Sequence, residues 1–310
     1  MNEKKVGIII LNYITYDETL KLLEYLKNID YRNFFAIVVD DNSPNESNKI
    51  LSGVINKKSY FSYEIYFIET NYNGGYSYGN NIGIKKADEL NAEYVLIMNN
   101  DIYPLENKFL RLMVDFLDQN KNAAMVSPQI IEKDNKIKVN YLKRPLGKDY
   151  IIKYLFHPFY SLSKKIFCKK QEFIIDVNQL IKVYSVAGSI YLIDIEKIKD
   201  VGLLDENVFL FGEELILGEK LFKKNLGIYY LPYVKVIHNH SLTVDILYNS
   251  LDKLKIRLKS NLYYITNYRK DISKFSKILI KMSFYFEISV YQPVIKFLKK
   301  IKNSNKSILF

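Results

Sequence analysis

The chain has 310 residues, of which 48% are hydrophobic and 25% are charged, and its formal net charge is +11. This is the composition of a soluble globular protein, and its single cysteine, Cys168, excludes an internal disulfide framework and fits a reducing compartment. The first apolar run, Val6 to Leu11, is too short for a signal-peptide core or a membrane span, so we expect a cytoplasmic protein.

The positive charge is concentrated in two segments. Residues 246–310 hold fourteen Lys and Arg against three acids, a surplus as large as the net charge of the whole chain. Residues 133–182 hold twelve bases against four acids, so the remainder of residues 1–245 is acidic. Basic segments of this kind attract anionic surfaces, either nucleic acid or a membrane leaflet rich in anionic lipid.

Strand and helix patterns alternate from the N-terminus onward. Short apolar runs predict buried strands over Val6–Leu11, Phe34–Val39, Tyr63–Ile68, Tyr94–Met98, and Ala123–Ser127, where Pro128 ends the strand. Helices are predicted over Asp17–Ile29 and Leu105–Asp118. Another helix begins near Pro44, with Ser43 as a possible N-cap, and a further one follows the glycine- and asparagine-rich cluster and ends at about Leu90. The alternation predicts a doubly wound α/β body with right-handed crossovers.

Residues 133–182 interrupt this order, because they are basic and aromatic and have no clear period. They form either a packed insertion or a loop region that lies over the site or against a membrane. Beyond them we predict a strand over Tyr184–Ile193, a short helix capped by Asp194, and a helix from Glu213 to about Asn225. An apolar stretch then leads to His238.

Polar side chains follow three of the predicted strands. Asn12, Asp40, Asp41 and Asp101 stand at strand ends, and ligands bind beyond the carboxyl ends of strands in such sheets. We therefore expect these side chains to converge on one edge of the sheet. A carboxylate at the position of Asp101 suits a hard cation such as Mg²⁺ or Mn²⁺. The alternative is an Asx turn that caps the next helix.

Three further features have both a structural and a functional interpretation. Gly74 and Gly75 are either turn residues or residues that let the backbone approach a ligand closely. Glu213 and Glu214 are either stabilised by the macrodipole at a helix start or include a general base. His238 is either a structural histidine or a metal ligand and proton carrier.

Together these motifs resemble a family 2 nucleotide-sugar glycosyltransferase of the GT-A fold, most like rhamnosyltransferase-type bacterial members. The resemblance runs from Lys5 to about Thr243 and is weakest across 133–182. The motifs that carry it, in chain order, are IILNY, VVDDNSPNES, NGGYSYGNNIG, MNNDIYP and VAGSIYLIDIEKIKDVGLLDENVFLFGEE. The second motif resembles a segment whose aspartate binds uracil or thymine, which indicates Asp41 or its neighbour Asp40.

The resemblance implies roles for individual residues. Asp101 and His238 are the implied ligands of Mg²⁺ or Mn²⁺, and Glu214, beside Glu213, is the implied catalytic base. The chain departs from the family where Asn99 replaces the first acid of the D-x-D element and Ile216 replaces the last acid of Glu-Asp-x-Asp. The implied nucleotide- and donor-binding residues are Asn12, Tyr13, Asp40, Asp41, Asn73, Gly75, Asn80, Asn81, Asn99 and Asn100.

The implied activity is inverting transfer of a sugar from a UDP-sugar or dTDP-rhamnose to a hydroxyl of a glycan or lipid-linked acceptor, in bacterial surface polysaccharide synthesis. We expect a GT-A catalytic domain over residues 1–245, with 133–182 as a variable insertion, and a basic amphipathic helical region over 246–310. That region is either an interfacial helix on the inner face of the plasma membrane or a helical pair packed on the body. The alternatives are a non-catalytic nucleotide-sugar-binding protein and a nucleic-acid-binding module, although no recognised nucleic-acid motif occurs.

Overall fold

The computed structural model describes residues 3–57, 61–132, 136–138, 141–146, 149–150, 179–239 and 246–297. The chain separates into two compact units. The first unit comprises residues 1–144 and 176–248, and the second comprises 145–175 and 249–310. The expected insertion over 133–182 lies mostly outside the described residues.

The first unit is built on a mixed sheet. Its strands in the described residues are β1 Val6–Asn12, β2 Phe34–Asp40, β3 Glu64–Glu69, β4 Tyr94–Met98, β5 Ile102–Pro104, β6 Ala123–Glu132, β7 Ile137–Lys138, β9 Ile181–Val183, β11 Ile190–Asp194 and β12 Gly227–His238. A separate antiparallel pair is formed by β8 Tyr141–Leu142 and β10 Ser185–Val186.

The strand order across the sheet is β3-β2-β1-β4-β11-β6-β12-β5, with β7 paired to β6 and β9 paired to β12. Strands β1 to β4 are parallel to one another, and β6 is parallel to β12. Only β11 and β5 run against the main direction along this path of described strands. The predicted mostly parallel α/β sheet is therefore confirmed, and the carboxyl ends of its parallel strands share one edge.

The helices of the first unit flank the sheet, and the second unit is also helical. In the first unit they are α1 Tyr16–Leu26, α2 Ser47–Ile55, α3 Tyr76–Glu89, α4 Phe109–Gln119, α5 Ile195–Asp200 and α6 Glu213–Lys223. In the second unit they are α7 Ser250–Asn267 and α8 Lys274–Phe286, which continues as a π-helical segment over Glu287–Tyr291. Asp194 caps α5 as predicted, because its side chain accepts a hydrogen bond from Lys197 N at 3.1 Å.

The central strands are buried on both faces, as their continuous apolar runs predicted. Ile8, Ile9 and Ile10, whose side chains alternate between the two faces of β1, have no exposed surface. Part of the glycine cluster serves this packing, since a Cβ at Gly79 would lie 2.3 Å from Leu11 Cδ1. Glycine at this position therefore lets α3 lie directly on β1.

Three predicted boundaries were wrong. Pro128 does not end β6, because it faces Leu231 where the β6–β12 register shifts, and an irregular ladder tolerates a missing N–H. The strand predicted over Tyr184–Ile193 is divided into β10 and β11 by residues 187–189. Ser43 is not an N-cap: its hydroxyl donates to Asp40 Oδ2 at 2.8 Å, and α2 begins four residues later.

The second unit contains two capped helices. Asn249 caps α7 by accepting from Leu251 N at 3.0 Å, and Ser273 caps α8 by accepting from Ser276 N at 3.1 Å. No helix within the described part of the chain is long and apolar enough to cross a membrane.

Candidate active site

A cavity of about 310 Å³ opens at the carboxyl edge of β1 and β4. Ten of the residues singled out in the sequence line it: Tyr13, Asp41, Asn73, Gly75, Asn99, Asn100, Asp101, Glu213, Glu214 and His238. Four others do not line it: Asn12, Asp40, Asn80 and Asn81. The fold thus brings groups from six separate parts of the sequence to one place.

Asn12 and Asp40 form a buried brace between β1 and β2. Asn12 Nδ2 donates to Asp40 Oδ2 at 2.6 Å, and Thr19 donates to Asn12 Oδ1 at 2.8 Å. Asp40 also accepts from the backbone N–H of Ser43 at 2.8 Å. Both residues are fully buried, so their polar groups are used within the protein and hold the strand ends in place.

Asn80 and Asn81 also bond to the protein itself. Asn80 Nδ2 donates to Tyr76 O at 2.8 Å within α3. Asn81 Nδ2 donates to Leu204 O at 3.0 Å and to Glu206 Oε1 at 2.7 Å, and Asn81 Oδ1 accepts from Leu204 N at 3.0 Å. Asn81 therefore fixes the loop before α6 to α3.

Asp41 borders the cavity and organises the glycine loop. Its Oδ1 accepts from Gly74 N and Thr70 Oγ1, each at 3.2 Å, and its Oδ2 accepts from Gly75 N at 3.0 Å. Burial raises the pKa of Asp41, and the hydrogen bonds from the two glycines oppose that change. A carboxylate offers about four acceptor positions, so these three bonds leave one for a ligand.

Gly75 holds a conformation that only glycine adopts readily. Its φ is +83° and its ψ is −173°, and a Cβ there would lie 2.2 Å from Phe209 O. The neighbouring Tyr76 N donates to the same carbonyl oxygen at 3.0 Å. The glycine loop is therefore packed directly against the segment that precedes α6.

Asp101 and His238 meet because β5 pairs with the end of β12. His238 Nε2 lies 3.3 Å from Asp101 Oδ2, and Asn239 N donates to Asp101 O at 2.9 Å. Asp101 Oδ1 is buried and has no hydrogen-bond partner among the described residues. A carboxylate with an unused oxygen beside an imidazole fits a divalent cation. The described residues contain no cluster of three or more such ligands, so a bound substrate or water would complete the coordination.

Glu213 and Glu214 begin α6, directly after Gly212, whose φ is +89°. Both carboxyl groups border the cavity. Glu214 is partly exposed, and its Oε2 accepts from Gly212 N at 3.0 Å. Glu213 is buried, and burial together with the nearby Glu214 carboxylate raises the pKa of Glu213 well above its usual value. The raised pKa favours the protonated form of Glu213, whereas the carboxyl group of Glu214 is partly exposed at the border of the cavity.

Several cavity residues were missed in the sequence. Gly188 and Ser189 lie where the predicted strand is interrupted, and the sequence placed them in a motif of the family resemblance without giving either a role of its own. Tyr76 stands inside the glycine motif, and its hydroxyl donates to Gly188 O. Lys138 and Tyr248 also line the cavity. Lys138 belongs to the basic segment 133–182, for which a position over the site was one alternative, whereas Tyr248 belongs to no pattern that indicated a site.

Comparison with known proteins identifies relatives of this chain. Residues 6–187 match the family described as glycosyl transferase family 2. The low-salt glycan biosynthesis hexosyltransferase Agl10 of Haloferax volcanii is 27% identical over 235 residues, which is 76% of this chain and 67% of that protein.

Solved structures show the same fold at low identity. GalNAc-T7 with UDP, GalNAc and Mn²⁺ superposes with a TM-score of 0.60 at 12% identity, over 95% of this chain and 58% of that one. The mannosyltransferase PcManGT of Pyrobaculum calidifontis, in complex with GDP-Man and Mn²⁺, superposes with a TM-score of 0.58 at 13% identity. The match covers 93% of this chain and 71% of that one. S. aureus TarS 1–349 in complex with UDP-GlcNAc superposes with a TM-score of 0.52 at 17% identity. The match covers 92% of this chain and 73% of that one. The predicted GT-A fold is confirmed.

Proposed function

The chain belongs to glycosyl transferase family 2, and from this we propose that it transfers a sugar from a nucleoside-diphosphate donor to an acceptor hydroxyl, with inversion at the anomeric carbon. One observation carries the proposal: a single cavity is bordered by a base-binding candidate, Asp41, a metal-binding pair, Asp101 and His238, and a proton acceptor, Glu214. These are the groups that such a transfer requires.

Asp41 would receive the nucleobase. Its one unused acceptor position suits the imide N–H of uracil or thymine, and the wrong base would leave a buried group without a partner. We therefore favour a UDP-sugar or dTDP-sugar as the donor. The solved relatives include both UDP-GlcNAc and GDP-Man complexes, so nucleotide preference has to be measured on this chain.

Asp101 and His238 would hold Mg²⁺ or Mn²⁺. When bound, such a cation neutralises the diphosphate and stabilises it as a leaving group. The protein contributes the geometry for this: the β5–β12 pairing fixes both side chains, and Asp101 Oδ1 keeps an oxygen free of protein partners among the described residues.

Glu214 would act as the general base. It takes the proton of the acceptor hydroxyl while that oxygen bonds to the anomeric carbon, and the bond from that carbon to the phosphate oxygen breaks on the opposite face. The products are the glycosylated acceptor and the nucleoside diphosphate. Glu213 is less suited to this step, because its raised pKa favours the protonated form, which cannot accept the proton.

The test is a thermal-shift and calorimetric screen of UDP, dTDP and GDP with and without Mn²⁺, followed by an assay of nucleoside diphosphate release from the matching sugar nucleotides. We expect metal-dependent binding of UDP or dTDP, with release that Glu214→Gln suppresses. If none of the three nucleotides binds, the chain is not an active transferase of this type.

We further propose that the second unit binds an anionic membrane surface, which would suit a lipid-linked acceptor at the inner leaflet. Along α8, Phe275, Ile278, Met282 and Tyr285 are 57–69% exposed, and their spacing places them on one helix face. Lysines interleave with this apolar stripe at 274, 277 and 281. An apolar face bordered by cations is typical of an interfacial helix.

Sedimentation with vesicles of phosphatidylglycerol and phosphatidylcholine tests this surface. Replacing Phe275, Ile278 and Met282 together by Ser should weaken binding at least tenfold, since each buried apolar side chain contributes about 1.5–3 kcal/mol. Leu105→Ser, at an apolar residue of the first unit that is 50% exposed, is the control. Equal binding of the triple variant and the control would contradict the proposal.

A further inference from the structure

A π-helical turn interrupts the last helix described in the second unit. The turn covers Glu287–Tyr291, where Gln292 N donates to Glu287 O, and helical structure resumes over residues 292–297. Pro293 gives a local reason for the wider turn, because in a regular α-helix its ring would clash with the carbonyl group four residues earlier. Turns of this type are rare and occur frequently at functional sites.

The π turn determines which way the residues after it face. An α-helix rotates by about 100° per residue, and a π turn takes up one extra residue without that rotation. In an uninterrupted α-helix, Val290, Val294 and Phe297 would lie about 100° away from the exposed apolar stripe of α8. With the π turn these three residues, here called the distal face, continue that stripe.

The burial pattern agrees with this geometry. The side chains of the distal face are 45–64% exposed, as are those of the stripe on α8. On the opposite side of the helix Phe284 and Glu287 are buried, and Ile295, beyond the turn, is half-buried. Both sides therefore keep their direction through the turn, and the exposed apolar surface extends over residues 275–297, about 35 Å of helix.

The charge of this stretch favours an anionic surface. Residues 274–297 contain four lysines and one acid, and Lys274, Lys281 and Lys296 are exposed. The acid, Glu287, is buried and accepts from Gln292 Nε2 at 2.7 Å. The exposed charge beside the apolar surface is therefore entirely positive. A second copy of this chain would bring like charges together, whereas a leaflet rich in anionic lipid supplies the opposite charge.

We propose that the distal face and the stripe of α8 form one continuous surface for a membrane leaflet rich in anionic lipid, and that the π turn keeps the two parts in register. The inference rests on the membrane surface proposed above and extends that surface past the turn. A helix with one apolar face and basic flanks lies in the plane of the interface. Its whole length contributes to binding only when both parts face the same way.

Sedimentation with vesicles of phosphatidylglycerol and phosphatidylcholine measures what the distal face contributes. Replacing Val290, Val294 and Phe297 together by Ser should weaken binding by about tenfold or more, because three apolar side chains no longer enter the lipid. Leu142→Ser, at an apolar residue of the first unit that is 49% exposed, is the control and should bind like the wild type. Equal binding of the triple variant and the control would overturn the inference.

Two deletions test the register. Removing Ser289, an exposed residue of the turn, takes out the one extra residue, so that a regular α-helix forms with the distal face unmoved. Binding should then stay within about twofold of that of Ser289→Ala, which keeps the chain length. Removing Ile288 and Ser289 together rotates the distal face by about 100° and should weaken binding as much as the triple replacement. Circular dichroism checks that each variant keeps its helix content.

The outcomes separate this inference from the membrane surface on which it rests. If the wild type binds vesicles, a change in either direction on removing Ser289 alone would overturn the role of the π turn, as would unchanged binding after the double removal. If the wild type does not bind vesicles, the membrane surface proposed above is itself wrong. A wild-type dimer in sedimentation velocity that the triple replacement dissociates would assign the surface to a second copy of this chain and overturn the lipid assignment.

Discussion

Gly75 offers a direct test of how the glycine loop supports the site. Alanine at this position must adopt a backbone with φ +83° and ψ −173°, and its Cβ would lie 2.2 Å from the backbone oxygen of Phe209. That oxygen accepts from Tyr76 N, so a shift of the Phe209 carbonyl also breaks a hydrogen bond. Gly75 N in turn donates to Asp41 Oδ2 at 3.0 Å.

The magnitude follows from these two effects. The backbone region costs about 1–3 kcal/mol for a residue other than glycine, and a hydrogen bond to a charged group contributes about 1.5–3 kcal/mol. We therefore expect Gly75→Ala to lower the free energy of unfolding by about 2.5–6 kcal/mol, the sum of the two ranges. Because Asp41 loses a donor, nucleotide binding should weaken as well.

Urea unfolding followed by circular dichroism measures the first effect, and calorimetric titration with UDP and dTDP measures the second. Gly53→Ala is the control, since Gly53 lies within α2 and no atom lies within 4 Å of its added Cβ. That change should stabilise the protein by about 0.5–1 kcal/mol. If Gly75→Ala were as stable as Gly53→Ala, the close contact with Phe209 would be refuted.

Three further outcomes are expected. Asp101→Asn should abolish the tightening of nucleotide binding by Mn²⁺ while leaving the thermal midpoint of the free protein within a few degrees; unchanged calorimetric affinities with and without Mn²⁺ would exclude Asp101 as a ligand. Asp41→Asn should reduce the preference for UDP or dTDP over GDP, measured as a ratio of dissociation constants, and an unaltered ratio would contradict base recognition at this residue. Glu213→Gln should stabilise the protein at pH 7.5 but not near pH 4, which urea titrations at both values can measure.

The sign of the last effect follows from the raised pKa of Glu213. At a pH between the pKa of Glu213 in the unfolded state and its higher pKa in the folded state, Glu213 loses its proton in the unfolded state and keeps it in the folded state. Wild-type stability therefore falls as pH rises through this interval, and glutamine removes that loss. A stability difference that did not change with pH would show that Glu213 titrates alike in both states.

The sequence alone was sufficient to predict the strands in the parallel half of the sheet. The apolar runs of β1, β2 and β4 are continuous because helices cover both faces, and their polar ends converge where the parallel order places them. The antiparallel insertion of β11 between β4 and β6 was not predictable from periodicity, since strand direction depends on long-range pairing. The continuation of β6 through Pro128 was not predictable for the same reason, because a proline is tolerated there only where the pairing with the facing strand β12 is irregular.

The site was predictable where a residue's chemistry is distinctive and less so where it is not. Asp41, Asp101 and Glu214 carry charges at strand or helix ends, and all three line the cavity. Asn81 looks in the sequence like a ligand-binding amide, yet its side chain forms hydrogen bonds with the backbone of Leu204. Ser189 belongs to a motif of the family resemblance but carries no charge that would single it out, and its unpartnered hydroxyl becomes visible only in the folded chain.

The measurement that tests the central claim most directly is made on the Glu214→Gln variant and the wild type. It compares their rates of nucleoside diphosphate release from the donor that binds, with acceptor present, and their dissociation constants for that donor. A positioned base contributes about 10²-fold or more, so we predict a loss of at least that size with donor affinity unchanged. Near-normal turnover in Glu214→Gln would contradict the assignment of Glu214 as the base, and with it the transfer mechanism proposed for this cavity.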